Sequence, residues 1–426
     1  MKNKTPGGNT TRPEVSMNFF SKSNRIARWV ATGVLLAGLV LSTAATGSAE
    51  TILNAGLEKL RQRCLEILNT AFQSEEAFIR SGAVRAAGES ENPEVLPLLL
   101  KGMTDFFPTT RQFALQGLLH VSVEQAVQAA FKALDDSNVW VRATALEIVG
   151  ERGSRDMMPA VRRLMEIPDP MVRLGASYAL YRLGEADELD QILKAVESGD
   201  AIGRYQAITY LGKIDIPRTR ERLVRLLDEN EEDEILIYVL KALEKQVEIE
   251  QLSRLEKLLQ HQNPRVRKQA VLAMGNLPAQ AALSRVTPLC VDEDPLVQVV
   301  AAWAVARMES PQCDEIFSMA VRHADYGVRS VAARVLGEID RPDSFQLLTY
   351  GLNDTNSRVR TAAVRATGKL GGAQSFPLLL QMLEDSATAI RAYAAGYLLK
   401  ILRPPGAQPK PKASRENSAT GSAAHP

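Results

Sequence analysis

Cysteine and histidine are scarce in this chain, and much of the familiar chemistry of enzymes goes with them. The three cysteines, Cys64, Cys290 and Cys313, are an odd number. That excludes a closed disulfide framework, and we expect them as small apolar core residues rather than a bridge. The four histidines, His120, His261, His323 and His425, form no His-Glu pair, which excludes the di-iron chemistry such pairs support. No HExxH, CxxC, Gly-Lys-Ser/Thr phosphate loop or Gly-x-Ser-x-Gly elbow occurs, so metal, nucleotide and nucleophile motifs are absent. Aromatic residues are only 5%, too few for large aromatic cores. The net charge of +1 removes any general electrostatic case for nucleic acid. No segment alternates with the period of two that strands require. We therefore expect no catalytic residue, no cofactor, no metal and no nucleic-acid partner.

What is present is globular: 45% hydrophobic and 24% charged residues in 426, enough for two or three domains or one long array. The one long apolar run, Trp29 to Ala45 (WVATGVLLAGLVLSTAA), follows Lys22, Arg25 and Arg28 and precedes small residues at Gly47 and Ala49. This is the pattern of an export signal cleaved before Glu50, and Met17 opens a more ordinary one than Met1. The same run, residues 29–45, is marginal for an uncleaved anchor. The expected location is periplasmic or secreted, with an inner-membrane anchor facing the periplasm as the alternative. The tail, RPPGAQPKPKASRENSATGSAAHP, is rich in Pro, Ala and Ser, a composition expected to stay disordered.

Between these ends the chain repeats itself. DDSNVWVRATALEIVG comes back as NDTNSRVRTAAVRATG. The arginine of Val-Arg serves as a ruler: Arg80, Arg111, Arg142, Arg173, Arg204, Arg267, Arg329, Arg360 and Arg391, with Ile235 and Gln298 at the missing rungs. Every step is 31 residues except one of 32 after Ile235. Eleven units of this period mean a solenoid. Four residues before the ruler stand Asn138, Asp169, Asp200, Asn263, Asp294, Asp325 and Asn356, side chains that cap a starting helix. Pro108, Pro170, Pro264 and Pro295 follow at the first helical position. Three after the ruler is Ala in every unit but the sixth, which has Tyr238. Glycines eight after it, such as Gly88, Gly150 and Gly212, stand where this helix should end. The other half of each unit, as in EVLPLLLKGM or TRERLVRLL, is a second short helix.

These units resemble HEAT repeats of the short bacterial kind, similar to those of phycobilisome-lyase-type proteins. Pro97, Pro159 and Pro377 match the first-helix proline of that pattern, and Asp105, Asp136, Asp292, Asp354 and Asp385 match its inter-helix Asp. The resemblance covers Ala77 to Leu402. It implies an all-α fold, an α-solenoid forming a right-handed superhelix of about eleven two-helix repeats. The organisation expected is an extension and export signal (1–49), a capping helix region (50–76), the solenoid (77–402) and the tail (403–426). The resemblance also implies a structural ladder in which each Asp bonds an Arg of a neighbouring unit, drawn from Asp105, Arg111, Asp136, Arg142, Asp354, Arg360, Asp385 and Arg391.

In that family the second helix row is concave. Five residues after the ruler, the middle units place Tyr178, Leu240, Leu272 and Trp303, apolar and aromatic with polar ends on either side, as a protein-binding groove would be. The function expected is an exported, non-enzymatic scaffold holding a protein partner along that face. The family likeness offers a chromophore lyase or lyase chaperone as the alternative. The acidic run DENEEDE, Asp228 to Glu234, is expected as a solvated loop; it lacks the glycine and spacing of a calcium-binding EF-hand.

Overall fold

The structure is a computed structural model. It describes residues 46–198, 200–229, 232–339 and 341–403, so the apolar run 29–45 and the tail from residue 404 lie outside the described residues. The chain divides into two compact units, Met1–Leu60 and Arg61–Pro426. The described residues of the first are all helical.

All regular elements among the described residues are helices. In chain order they are α1 (Thr46–Phe72), α2 (Ala77–Glu89), α3 (Leu96–Gly102), α4 (Pro108–Val121), α5 (Val123–Ala133), α6 (Val139–Arg152), α7 (Met158–Arg163), α8 (Pro170–Leu183), α9 (Glu188–Ser198), α10 (Ala201–Ile214), α11 (Pro217–Glu229), α12 (Asp233–Leu243), α13 (Leu252–Leu258), α14 (Pro264–Met274), α15 (Ala279–Val286), α16 (Pro295–Arg307), α17 (Glu315–Ala320), α18 (Tyr326–Leu336), α19 (Ser344–Leu352), α20 (Ser357–Leu370), α21 (Gly372–Met382) and α22 (Thr388–Ile401). Odd-numbered helices form one row and even-numbered helices the other, so each unit is an odd–even pair.

The even helices start where the capping residues put them. Asn138, Asp169, Asp200, Asn263, Asp294, Asp325 and Asn356 each accept from the amides of the first turn, which satisfies donors a helix start leaves free. The odd helices carry one apolar stripe. In α11 it is Thr219, Leu223, Leu226 and Leu227, buried while Arg218 and Arg225 on the other side are exposed. Each such leucine contributes about 2 kcal/mol, and Leu223→Ala would cost about 3 kcal/mol. Even helices are buried nearly all round. α16 hides Val297 and every residue from Val299 to Val305, because it packs on an odd helix and on both neighbouring even helices.

The glycines eight after the ruler do not serve as left-handed caps. They are points of close approach between consecutive even helices. A Cβ on Gly88 would stand 2.5 Å from the Gly117 Cα, one on Gly150 2.8 Å from the Ala179 Cα, and one on Gly337 2.6 Å from the Ala366 Cα. The even row is therefore packed backbone to backbone, and glycine is required by space rather than by dihedral angle.

Each even helix packs against the next, and α22 packs against α2. Within Arg61–Pro426 the solenoid is thus a closed ring of eleven units, where the repeat alone suggests an open superhelical rod. The seam is specific. Glu89 accepts from Arg365 Nη2 at 2.5 Å and from the Tyr397 hydroxyl at 2.8 Å. Glu91 accepts from Lys400 at 2.7 Å and Arg403 at 3.2 Å. The Asn92 amide donates to the Leu399 carbonyl at 3.0 Å, and a Cβ on Gly396 would overlap the Ala86 carbonyl oxygen. In the odd row, Arg63 of α1 reaches Glu384 beyond α21 at 2.5 Å.

Two sequence expectations are corrected. Cys290 and Cys313 are joined in a disulfide, with Cα atoms 6.1 Å apart, not packed as separate thiols. By sequence spacing alone they fall near opposite ends of adjacent odd helices. α17 is only six residues long, and unit 8 continues past α15 as a 3-10 turn, Thr287–Val291, so the two ends meet. Cys64 remains free and buried, and burial pushes its thiol up to about 12. The acidic run is exposed to solvent as expected, with Asp228, Glu229, Glu232 and Glu234 41–62% exposed, but most of its described residues are not loop: Asp228 and Glu229 end α11 and Asp233 and Glu234 begin α12. Asp228 pairs with Arg254 at 2.7 Å, Glu229 with Arg222 at 2.7 Å, and Glu232 with Arg204 at 3.2 Å, while Glu234 pairs with Arg265. Three of these pairs reach units 5 and 7 and the Glu229–Arg222 pair stays within α11, in the unit where the ruler arginine is replaced by Ile235.

Candidate interaction surfaces

The ruler arginines make one motif of local and inter-unit bonds. Arg111 Nη1 donates to the carbonyls of Asp105 and Phe106 in its own turn, and its other nitrogens grip both oxygens of Asp136 in the next unit at 2.7 and 2.6 Å. Asp136 also accepts from the Asn138 amide at 2.8 Å. The same arrangement joins Arg80 to Asp105, Arg267 to Asp292, Arg329 to Asp354 and Arg360 to Asp385, at 2.6 to 2.9 Å for the Nε contact. These pairs are largely buried, Arg360 and Asp385 exposing 14% and 7% of their side chains. Bidentate charge-assisted pairing of this kind sets the angle between units. Arg142 and Arg391 depart from the expected ladder. Arg142 bonds only the carbonyls of Asp136 and Ser137, because Ile167 stands where the next unit would offer Asp, and its buried Nε is left without a partner. Arg391 bonds Asp385 O, Ser386 O and Thr388 Oγ1; no further ruler unit follows it.

Three of the four residues expected to line an open groove are core instead. Tyr178 and Leu240 are 0% exposed and Trp303 3%; Leu272 is half-buried. Tyr178 stacks on Tyr210 with centroids 4.4 Å apart, and its hydroxyl meets Glu151 at 3.2 Å. Above both rings lies Lys213, whose ammonium bonds Glu147 at 2.6 Å. Glu147 and Lys213 belong to units 3 and 5, so this bond spans unit 4. Glu89 and Arg365 likewise span unit 11. Positions one, five and nine after the ruler lie on one stripe of each even helix. Closing the array turns that stripe inward, so side chains two units apart meet above the residue between them.

The exposed apolar groups lie elsewhere. Phe78 is 64% exposed, Phe106 95%, Phe107 38% and Trp140 53%. Phe78 and Trp140 are second residues of α2 and α6, and Phe106–Phe107 form the turn before α4. All four stand at the starts of even helices in units 1 to 3, along one rim. Beside them Glu75, Glu76 and Asp135 are exposed. The sequence carried a sign of this surface. Phe106–Phe107 occupy turn positions that hold Ser137–Asn138 or Thr355–Asn356 in other units, and α4 consequently starts without a side-chain cap.

Among the described residues, no group of His, Cys, Asp and Glu is placed to hold a metal ion, and no helix is long and apolar enough to cross a membrane.

The profile of HEAT repeats matches residues 96–156, 127–203, 252–317 and 313–400, and the chain belongs to the HEAT-repeat family. The stretch left between those matches, 204–251, contains the acidic run and the Ile235 replacement. A comparison with curated proteins finds no match. Among solved structures, an engineered protein is 17% identical with a TM-score of 0.26, over 81% of this chain and 98% of that one. Human deoxyhypusine hydroxylase, in complex with glycerol, is 16% identical with a TM-score of 0.31, over 65% of this chain and 96% of that one.

Proposed function

We propose that this HEAT-repeat ring is an exported, non-enzymatic scaffold that binds a protein partner through the aromatic rim of units 1 to 3. The observation that carries this reading is Phe106, 95% exposed beside Phe78, Phe107 and Trp140. Water-facing aromatics grouped in this way have no packing role and mark contact surfaces. The flanking Glu75, Glu76 and Asp135 suit a partner segment that is apolar with basic flanks. The Cys290–Cys313 bridge supports a location outside the reducing cytoplasm, periplasmic or secreted, in keeping with the signal-like run before Glu50. The test is affinity capture from the native envelope with wild type and a Phe106→Ser/Trp140→Ser variant of unchanged circular dichroism. The variant should lose the partner. Equal recovery of the same protein by both forms refutes the rim as the binding surface.

A further inference from the structure

The inward stripe carries a third two-unit meeting, and it differs from the other two in sign. Where units 3 and 5 meet, Glu147 faces Lys213; where units 10 and 1 meet, Glu89 faces Arg365. Where units 7 and 9 meet, the stripe positions are Lys268, one after the ruler, and Arg334, five after it. Like charges occupy both positions there. Lys241 of unit 6 adds a third cation, resting on the Tyr238 ring at 5.1 Å. None of the three makes an ion pair among the described residues. Burial, then the charge of Arg334, hold the Lys268 ammonium below the usual lysine value; Arg265 and Lys241 act in the same direction and Asp294 opposes them. Those neighbours are already engaged: Asp294 caps α16 through the amides of Leu296 and Val297, and Arg265 pairs with Glu234.

The stripe residue of unit 8 is Trp303, as Tyr178 is that of unit 4, and the Arg307 guanidinium of the same helix rests on its ring at 5.0 Å while bonding Asn276. The Trp303 indole Nε1 is buried without an acceptor. A buried donor without an acceptor and cations without ion-pair partners, gathered on this part of the inner face, are together suited by an anionic acceptor.

We propose that the inner face of units 7 to 9 binds a compact polyanion, with two or more closely spaced carboxylate or phosphate groups, held between Lys268 and Arg334 over Trp303. Lys241 adds to the field from unit 6. This site lies on the inside of the ring, apart from the aromatic rim, and stands whether or not the rim holds a protein.

The chain has three tryptophans, so a Trp29→Phe/Trp140→Phe form reports on Trp303 alone. It would be titrated at low ionic strength with inorganic pyrophosphate and, separately, with citrate. A saturable change in Trp303 fluorescence is expected with at least one of them, and which one assigns phosphate or carboxylate chemistry. Lys268→Met and Arg334→Gln should each weaken binding by about tenfold or more, while Lys268→Arg retains it. Lys101→Ala/Lys132→Ala removes two exposed cations from the odd row and controls for net charge. The anion should also raise the thermal midpoint of the wild-type protein and not that of Lys268→Met. No saturable response to either anion, undiminished binding by both single variants, or an equal loss in the odd-row control overturns the proposal.

Discussion

Reversing the charge of Glu89 should open the ring without unfolding its units. In the folded protein Glu89 accepts from Arg365 and Tyr397 across the seam, and Arg85 lies beside it at 3.0 Å. Side-chain exposures of 22% for Glu89 and 28% for Arg365 place the pair between a surface ion pair and a buried one. Truncation there costs roughly 2 kcal/mol, and the lost Tyr397 bond about 1 kcal/mol more. Glu89→Lys also adds repulsion from Arg365 and Arg85, bringing the penalty to roughly 4–6 kcal/mol. An array stabilised by nearest-neighbour contacts can shed that strain by losing one interface and keeping the others. The control is Glu147→Lys, which reverses an equivalent inward pair with Lys213, at 32% and 34% exposure, inside the array rather than at its seam. Spin labels on Glu75→Cys and Ser386→Cys occupy equivalent turns of units 1 and 11. In wild type they should lie about 10 Å apart, the spacing of neighbouring helices. Glu89→Lys should lengthen that distance several-fold with unchanged helical circular dichroism, and Glu147→Lys should leave it alone. A long distance in wild type, or equal opening by both reversals, refutes closure through this seam.

Other consequences are smaller in scale. Arg360→Ala should lower unfolding stability by about 2–3 kcal/mol, and a double-mutant cycle with Asp385→Ala should show coupling above about 1 kcal/mol; Arg142→Ala, with no Asp opposite, should cost under about 1 kcal/mol, and additive losses at Arg360 and Asp385 in urea melts would remove the ladder. The hydrogen bond from Arg329 holds Asp354 below the usual carboxylate range; at Asp105 burial pushes the other way, but the bonds from Arg80 and the Phe107 amide prevail. Such depressed carboxylates stabilise the fold above their unfolded value and lose that contribution as pH falls through the folded one. The urea midpoint should therefore be level between about pH 7 and 5, drop below about pH 4, and drop less in Asp354→Asn; a midpoint flat to about pH 3 would contradict this. Cys290→Ser/Cys313→Ser opens a loop closed over a sequence separation of 23, worth about 3 kcal/mol on the chain-entropy estimate. Thiol titration of the native wild-type protein should find no reactive group, and after denaturation one, Cys64; three would disprove the bridge.

How much of this was legible follows from how local each determinant is. The caps, the ruler and the all-α class could be read because Asn138 or Asp294 acts on its own helix within three residues. The ladder was legible in kind, and it failed at Arg142 because its partner lies 25 positions on, where Ile167 breaks the pattern. The groove residues were misread because their environment depends on curvature, a sum of small rotations. Closing eleven units requires roughly 33° per unit, and a few degrees less would leave an open superhelix. Those angles come from contacts such as Gly88 on Gly117, which no single unit encodes. Yet closure did leave one mark in the chain. The last helix of an open solenoid needs a polar outer face. α22, TAIRAYAAGYLLKI, has none: Ile390 and every residue from Ala392 to Leu399 are buried. A terminal helix apolar on all sides needs another helix against its far side, and within the ring the helix that covers α22 is α2.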